Sequence, residues 1–326
     1  MPGLRQTGPH LLCAALISFS LPVISPAQNT NGIIIDQDAG QTLELKAIET
    51  LARPVKPRVH GALTIGAGTD LENTLKDGGG YAKATRESLL LGLDVPFGTN
   101  TALSGSFERE FSQYNLDLNP SSISEIGSMH LAVTRFGLIA RRRLDERWSL
   151  FAVGDITFST ENRAAWNDGM TYGGLMAVRR QVNKSFAWQL GVIARTHLED
   201  KALFLPIPGI DWQINDRLTL RTAQGLTFSY DCMGNKRWLF DVGGNFENRI
   251  YRMNGRSQLP DGLFIDRSIP ILTALTRRFG RIAFVKISVA TPVYRRYKFC
   301  GSDGATLETL DSNFFPCFSF SAGAAF

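Results

Sequence analysis

The stretch Asn313-Phe-Phe-Pro-Cys-Phe-Ser-Phe-Ser-Ala-Gly-Ala-Ala-Phe326 decides the fold. Phe314, Phe318, Phe320 and Phe326 fall on one face of an extended chain, and Cys317, Ser319, Ser321 and Gly323 on the other. Successive side chains of a strand point to opposite faces, so a period of two marks a strand rather than a helix. The period recurs upstream. Phe186, Trp188, Leu190 and Val192 alternate with Ala187, Gln189, Gly191 and Ile193, and Arg195 and His197 continue the polar face. Trp238, Phe240, Val242 and Phe246 alternate with Asp241, Gly243, Asn245, Glu247 and Arg249; Trp148, Leu150, Ala152 and Ile156 with Ser149, Asp155 and Thr157; Val285, Ile287 and Val289 with Lys286 and Ser288. Residues 125 to 141 and 264 to 278 alternate imperfectly, with Arg135 and Arg267 at positions where apolar residues are expected.

A soluble sandwich also alternates, so length and connection decide. Several runs last about 10 to 16 residues, longer than ordinary strands and long enough to cross a bilayer at a tilt. Tight turns at Pro96-Phe97-Gly98-Thr99, Leu144-Asp145-Glu146-Arg147, Val182-Asn183-Lys184-Ser185, Asn215-Asp216 and Phe279-Gly280-Arg281 alternate with longer polar loops near 70 to 84, 114 to 124, 161 to 170, 252 to 263 and 297 to 312. One rim of a membrane barrel has short turns and the other long loops, and both chain ends on one rim require an even number of strands. Reading 217 to 230 as a single strand puts later turns on the wrong rims. Splitting it at Gln224-Gly225 restores the alternation. The expected fold is therefore all-β, an antiparallel up-and-down transmembrane barrel of fourteen strands, or twelve if the short pair is an external hairpin.

The N-terminus has one early cation, Arg5, an apolar run from Leu11 to Val23 and the small residues Ser25 and Ala27 flanking Pro26. That pattern predicts a secretory signal peptide over 1–27, cleaved after Ala27. Residues 28–57, with Ile33-Ile34-Ile35 and prolines at 54 and 57, are expected to form a periplasmic lead, and 58–326 the barrel. The mature chain contains no apolar run near the roughly 20 residues that a spanning helix needs. Cys232, Cys300 and Cys317 are too few for a disulfide scaffold, although a disulfide between Cys300 and Cys317, on either side of an external loop, suits an oxidising compartment. With 35 basic against 30 acidic residues there is no charge signature of nucleic-acid binding.

The final strand resembles the terminal strand of bacterial outer-membrane proteins, where a last Phe and alternating apolar residues form the signal read by the barrel-assembly machinery. That resemblance implies localisation in the bacterial outer membrane by the general secretory route. It also implies contact with outer-membrane lipid and lipopolysaccharide, and Phe318, Phe320 and Phe326 as the assembly signal. Leu205-Pro-Ile-Pro-Gly-Ile-Asp-Trp212, with its downstream turn and Tyr230, resembles an uncharacterised group of bacterial outer-membrane barrels and implies the fold, with no activity attached.

Residues opposite the apolar face are expected to line the lumen: Glu108, Asp155, Gln189, Arg195, Asp241, Glu247, Arg249 and Lys286. Such a lining suits a passive, porin-like channel for small solutes, with the solute unspecified. The alternatives are a closed structural or surface-interaction barrel, its lumen plugged by paired side chains, and a transporter of hydrophobic compounds. No catalytic residue, cofactor site or metal site is expected. His60, His130 and His197 sit in no nucleophile motif, and no His, Cys, Asp and Glu cluster has ligand spacing.

Overall fold

The computed structural model describes residues 59–76, 80–118, 127–198, 202–222, 225–280 and 282–326. The signal peptide and periplasmic lead expected over 1–27 and 28–57 lie outside the described residues.

Seventeen strand segments form a single antiparallel sheet, and three of them continue an interrupted neighbour, which leaves fourteen staves. Stave β1 is His60–Asp70, resumed at Asn73–Thr74. It is followed by β2 (Gly80–Phe97), β3 (Thr101–Leu118), β4 (Ser128–Arg143) and β5 (Trp148–Glu161). Next come β6 (Met170–Gln181), β7 (Phe186–Arg195), β8 (Leu203–Gln213) and the short pair β9 (Leu218–Arg221) and β10 (Gly225–Asp231). Stave β11 is Trp238–Asn245, resumed at Glu247–Arg252, and is followed by β12 (Leu263–Phe279) and β13 (Ala283–Cys300). Stave β14 is Thr306–Asp311, resumed at Cys317–Ala325. It pairs with β1 from Asp70↔Cys317 to Ala62↔Ala325, so the sheet closes on itself. Closure is what the bilayer demands, because an unpaired backbone N–H or C=O in hydrocarbon costs several kcal/mol.

The split of 217 to 230 follows its expected course: Leu218 pairs with Tyr230 and Arg221 with Thr227. Elsewhere the strands run into the expected loops. Stave β2 starts at Gly80, β3 extends to Leu118 and β13 to Cys300, so much of 70 to 84, 114 to 124 and 297 to 312 is ladder. Polar residues conceal these extensions because a ladder that rises beyond the lipid needs no apolar outer face.

Outward positions form an apolar belt that includes Leu91, Phe111, Phe136, Leu190, Leu275 and Phe320, all exposed. Four of the five tryptophans, Trp148, Trp188, Trp212 and Trp238, stand beside the tight turns, with Arg180 over Trp148 and Arg277 over Trp238 at 5.2 and 5.0 Å. Such amphipathic rings settle at a membrane interface. The turns below them share one device: a side-chain oxygen accepts from the backbone N–H groups two and three residues on. Asp145 accepts from Arg147 and Trp148, Asn183 from Ser185 and Phe186, and Asn215 from Arg217 and Leu218. A short Asp or Asn oxygen replaces the backbone acceptor that the reversal removes. At Asp145 those two bonds hold the carboxyl below its usual range.

Cys300 and Cys317 are both free, which corrects the expected disulfide. Cys317 lies opposite Ala290 of β13, while Cys300 ends that strand. Ten residues of strand separate them by about 30 Å, and a disulfide needs its Cα atoms within about 7 Å.

Candidate functional site

Inside the loop-side half, β11 leaves the wall. It breaks at Phe246, and Glu247–Arg252 turns inward while keeping its ladder with β12. Its other edge crosses to β5, where Arg252 forms a parallel bridge with Thr160 and the Ser159 hydroxyl donates to the Ile250 carbonyl at 2.6 Å. The Asn254 N–H donates to Glu161 at 2.8 Å. This partition divides the outer half of the lumen into a main compartment, enclosed by β1–β5 and β11–β14, and a side compartment against β5–β8.

The main compartment is packed. Tyr114, Tyr251, Phe264, Tyr297 and Phe299 are fully buried together, with Phe264 at 4.9 Å from Tyr114 and 5.2 Å from Phe299 between ring centroids. Beside them is a buried quartet of charges. Arg295 reaches Asp266 at 2.6 Å and Asp70 at 2.7 Å, and Arg86 reaches Asp70 at 3.1 Å and Asp266 at 3.3 Å. The Tyr114 hydroxyl donates to Asp266 at 2.8 Å.

The expected lumen residues fall into two groups. Asp155 and Arg195 meet at 2.8 Å, Glu247 and Arg249 at 2.6 Å, and Glu108 contacts Arg135 at 3.3 Å, all at the level of the partition. Gln189, Asp241 and Lys286 are buried in the turn-side half and do not join this cluster, and Asp241 and Lys286 form no ion pair among the described residues. Phe318, Phe320 and Phe326 point outward.

The Asp155–Arg195 pair spans β6, which lies between β5 and β7. Both residues are in register with Gly173, where a Cβ would collide with them. Gly173→Val is therefore expected to separate the pair and to destabilise the barrel by about 1–3 kcal/mol, as overpacking does. The temperature of heat-modifiable migration would report it, and an unchanged value would show that the contact is dispensable.

Sequence reasoning missed Asp70, Arg86, Asp266 and Arg295, although Asp70 shares its face with Thr64 and Arg86 with Ala82 and Ala84, all buried. Arg135 occupies an inward position and is fully buried, and Arg267 donates to Asn248 at 3.0 Å across the partition ladder. Among the described residues no group of three or more His, Cys, Asp or Glu is placed to hold a metal.

A cavity of about 70 Å³ lies where the partition meets β4–β7. Its lining includes Val133, Arg135, Arg195, His197, Leu198 and Ile250.

A closed sheet with an apolar belt, aromatic rims and a charged interior is a transmembrane β-barrel of the outer-membrane type. The chain belongs to the family described as Domain of unknown function (DUF6268), whose model matches residues 93–302. Among solved structures it is similar to a deltaS2 mutant of the TodX monoaromatic hydrocarbon channel, with TM-score 0.50 and 8% identity over 95% of this chain and 97% of that one. It is also similar to an outer membrane channel from Pseudomonas putida F1, with TM-score 0.47 and 11% identity over 84% and 97%. At these identities the likeness shows the fold alone. No curated protein matches the sequence.

Proposed function

We propose that the protein is an outer-membrane channel for small solutes, secreted with residues 1–27 as a cleaved signal peptide and 28–57 as a periplasmic lead. The observation that carries this reading is that Lys286 and Asp241, buried on the turn-side half of the lumenal wall, have no ion-pair partner among the described residues. Charged side chains on the inward face, opposite the apolar belt, support a polar lumen that solutes can use. In this reading the turn rim faces the periplasm, Phe318, Phe320 and Phe326 form the outward-facing assembly signal, and lipid and lipopolysaccharide meet the belt and the loop rim.

The test is single-channel conductance of the refolded mature chain in a planar bilayer. Wild type is expected to conduct steadily, and Lys286→Glu to move the reversal potential toward cation selectivity. A second reading is favoured by the packed main compartment: a closed barrel whose loops carry its role. Insertion shown by heat-modifiable migration without conductance would establish that reading and overturn the channel.

A further inference from the structure

We infer that the turn-side rim is a binding surface for anionic phospholipid headgroups, read by arginines laid across its tryptophan girdle. The inference rests on the outer-membrane reading, with the turn rim toward the periplasm, and gives the leaflet on that side a preferred lipid.

The surface is built into the register of the wall. Arg180 on β6 stands directly between Trp148 on β5 and Trp188 on β7. Its guanidinium lies over the Trp148 ring at 5.2 Å, and the two indoles meet edge to face at 5.6 Å. Arg277 on β12 repeats the arrangement: it is in register with Trp238 and lies over both that ring and Phe279 at 5.0 Å. Both arginines are exposed, and neither has a carboxylate partner among the described residues. A ring face attracts the guanidinium without using up its N–H groups. Two parallel N–H groups match two oxygens of a phosphodiester. Tryptophan girdles settle at the headgroup level of a membrane, so the phosphates that these arginines meet are anchored to acyl chains.

The charge of the rim selects among headgroups. A zwitterionic lipid neutralises its own phosphate, whereas an anionic one needs a cation from outside. Arg142, Arg147, Lys184, Arg217 and Arg237 are exposed in or beside the turns, where the exposed acids of the described residues are Asp145, Glu146 and Asp216. Asp145 is already committed to the N–H groups of Arg147 and Trp148. The excess of cations is therefore left for the surroundings to balance. On the loop side, by contrast, Arg296 is held by Asp311 at 2.7 Å.

The test uses the full mature chain with Trp166→Phe, which removes the tryptophan of the loop rim and leaves the four of the turn rim as reporters. It is refolded into phosphatidylcholine vesicles that contain an equal fraction of either brominated phosphatidylglycerol or brominated phosphatidylcholine, and quenching of tryptophan emission reads which lipid lies beside the rings. Phosphatidylglycerol is expected to be enriched about fivefold, the factor that one cation contributes at an anionic surface, and the enrichment to fall as salt rises. Arg180→Gln with Arg277→Gln is expected to remove most of it, and Arg180→Lys with Arg277→Lys, which keeps the charge without the fork, to retain more. Millimolar glycerol 3-phosphate, which has the headgroup charge without the chains, is expected to change nothing; if it abolishes the enrichment, the rim binds a soluble anion and the lipid proposal fails. Enrichment unchanged in the Gln pair would overturn the role of the two arginines. A chain that inserts, as heat-modifiable migration shows, yet draws both lipids equally would sink this inference and leave the outer-membrane reading standing. A chain that enters neither vesicle would sink the outer-membrane reading itself.

Discussion

Replacing Arg295 by methionine is expected to destabilise the barrel by about 3–5 kcal/mol, the usual consequence of breaking a buried ion pair by removing one partner. Arg295 is buried against both Asp70 and Asp266, so its loss strands two carboxylates with Arg86 as their remaining cation. It also stacks on Tyr297 and Phe315, at 5.0 and 5.3 Å, and methionine keeps only part of that contact. Urea unfolding of the refolded chain in vesicles, followed by tryptophan emission, is the measurement. If Asp70→Asn and Asp266→Asn are added, neutralising the stranded charges, part of the loss should return. A change below about 1 kcal/mol would mean that water reaches the quartet, as for an exposed pair.

The partition should govern conductance. Thr160 and Arg252 are bridge partners, and neighbouring strands lie about 4.8 Å apart, within the range that a disulfide accepts. In a Cys232→Ser background, the Thr160→Cys, Arg252→Cys chain is expected to conduct least when oxidised and to recover on reduction. Tyr251→Ala with Ser159→Ala, which removes the aromatic anchor and the hydroxyl bond to Ile250, is expected to raise conductance by about an order of magnitude as a hydrophobic constriction is lost. Equal conductance in the oxidised, reduced and loosened chains would show that the segment is a fixed wall and that solute passes elsewhere.

The architecture is legible in the sequence because lipid imposes an apolar outer face on every stave, and runs such as Phe186–Val192 display it. Where it fades, at 125 to 141 and 264 to 278, the cause is the packed interior. Met129, Leu131 and Val133 face inward and are apolar because they fill the main compartment, and Leu263 and Ile265 are covered by Leu198 instead of lipid. A reader of period two expects polarity on one face and finds apolar residues on both. The partition leaves no local trace, since Phe246 continues the apolar phase and Glu247 and Arg249 the polar one; the inward turn shows in contacts distant in sequence, the pairing of Arg252 with Thr160 and the bonds of Ser159 to Ile250 and Asn254 to Glu161. Individual lumenal charges were legible but their partners were not, because Asp155 meets Arg195 through a register that runs across two hairpins.

The quartet also bears on the order in which the sheet is made. Asp70 and Arg86 belong to the first hairpin and Asp266 and Arg295 to β12 and β13, so each end of an unclosed sheet contains one acid and one base already in contact. Bringing the ends together adds Arg295 to Asp70 and Arg86 to Asp266 without stranding a charge at any stage. The two free ends of the nascent ribbon are thus each electrically neutral at this level and attract each other only at short range, when they meet in register. A slip of one residue would turn those side chains out toward the lipid. The chain therefore proofreads its own last zipper, and a misaligned closure would be reopened by the cost of exposing an ion pair to hydrocarbon.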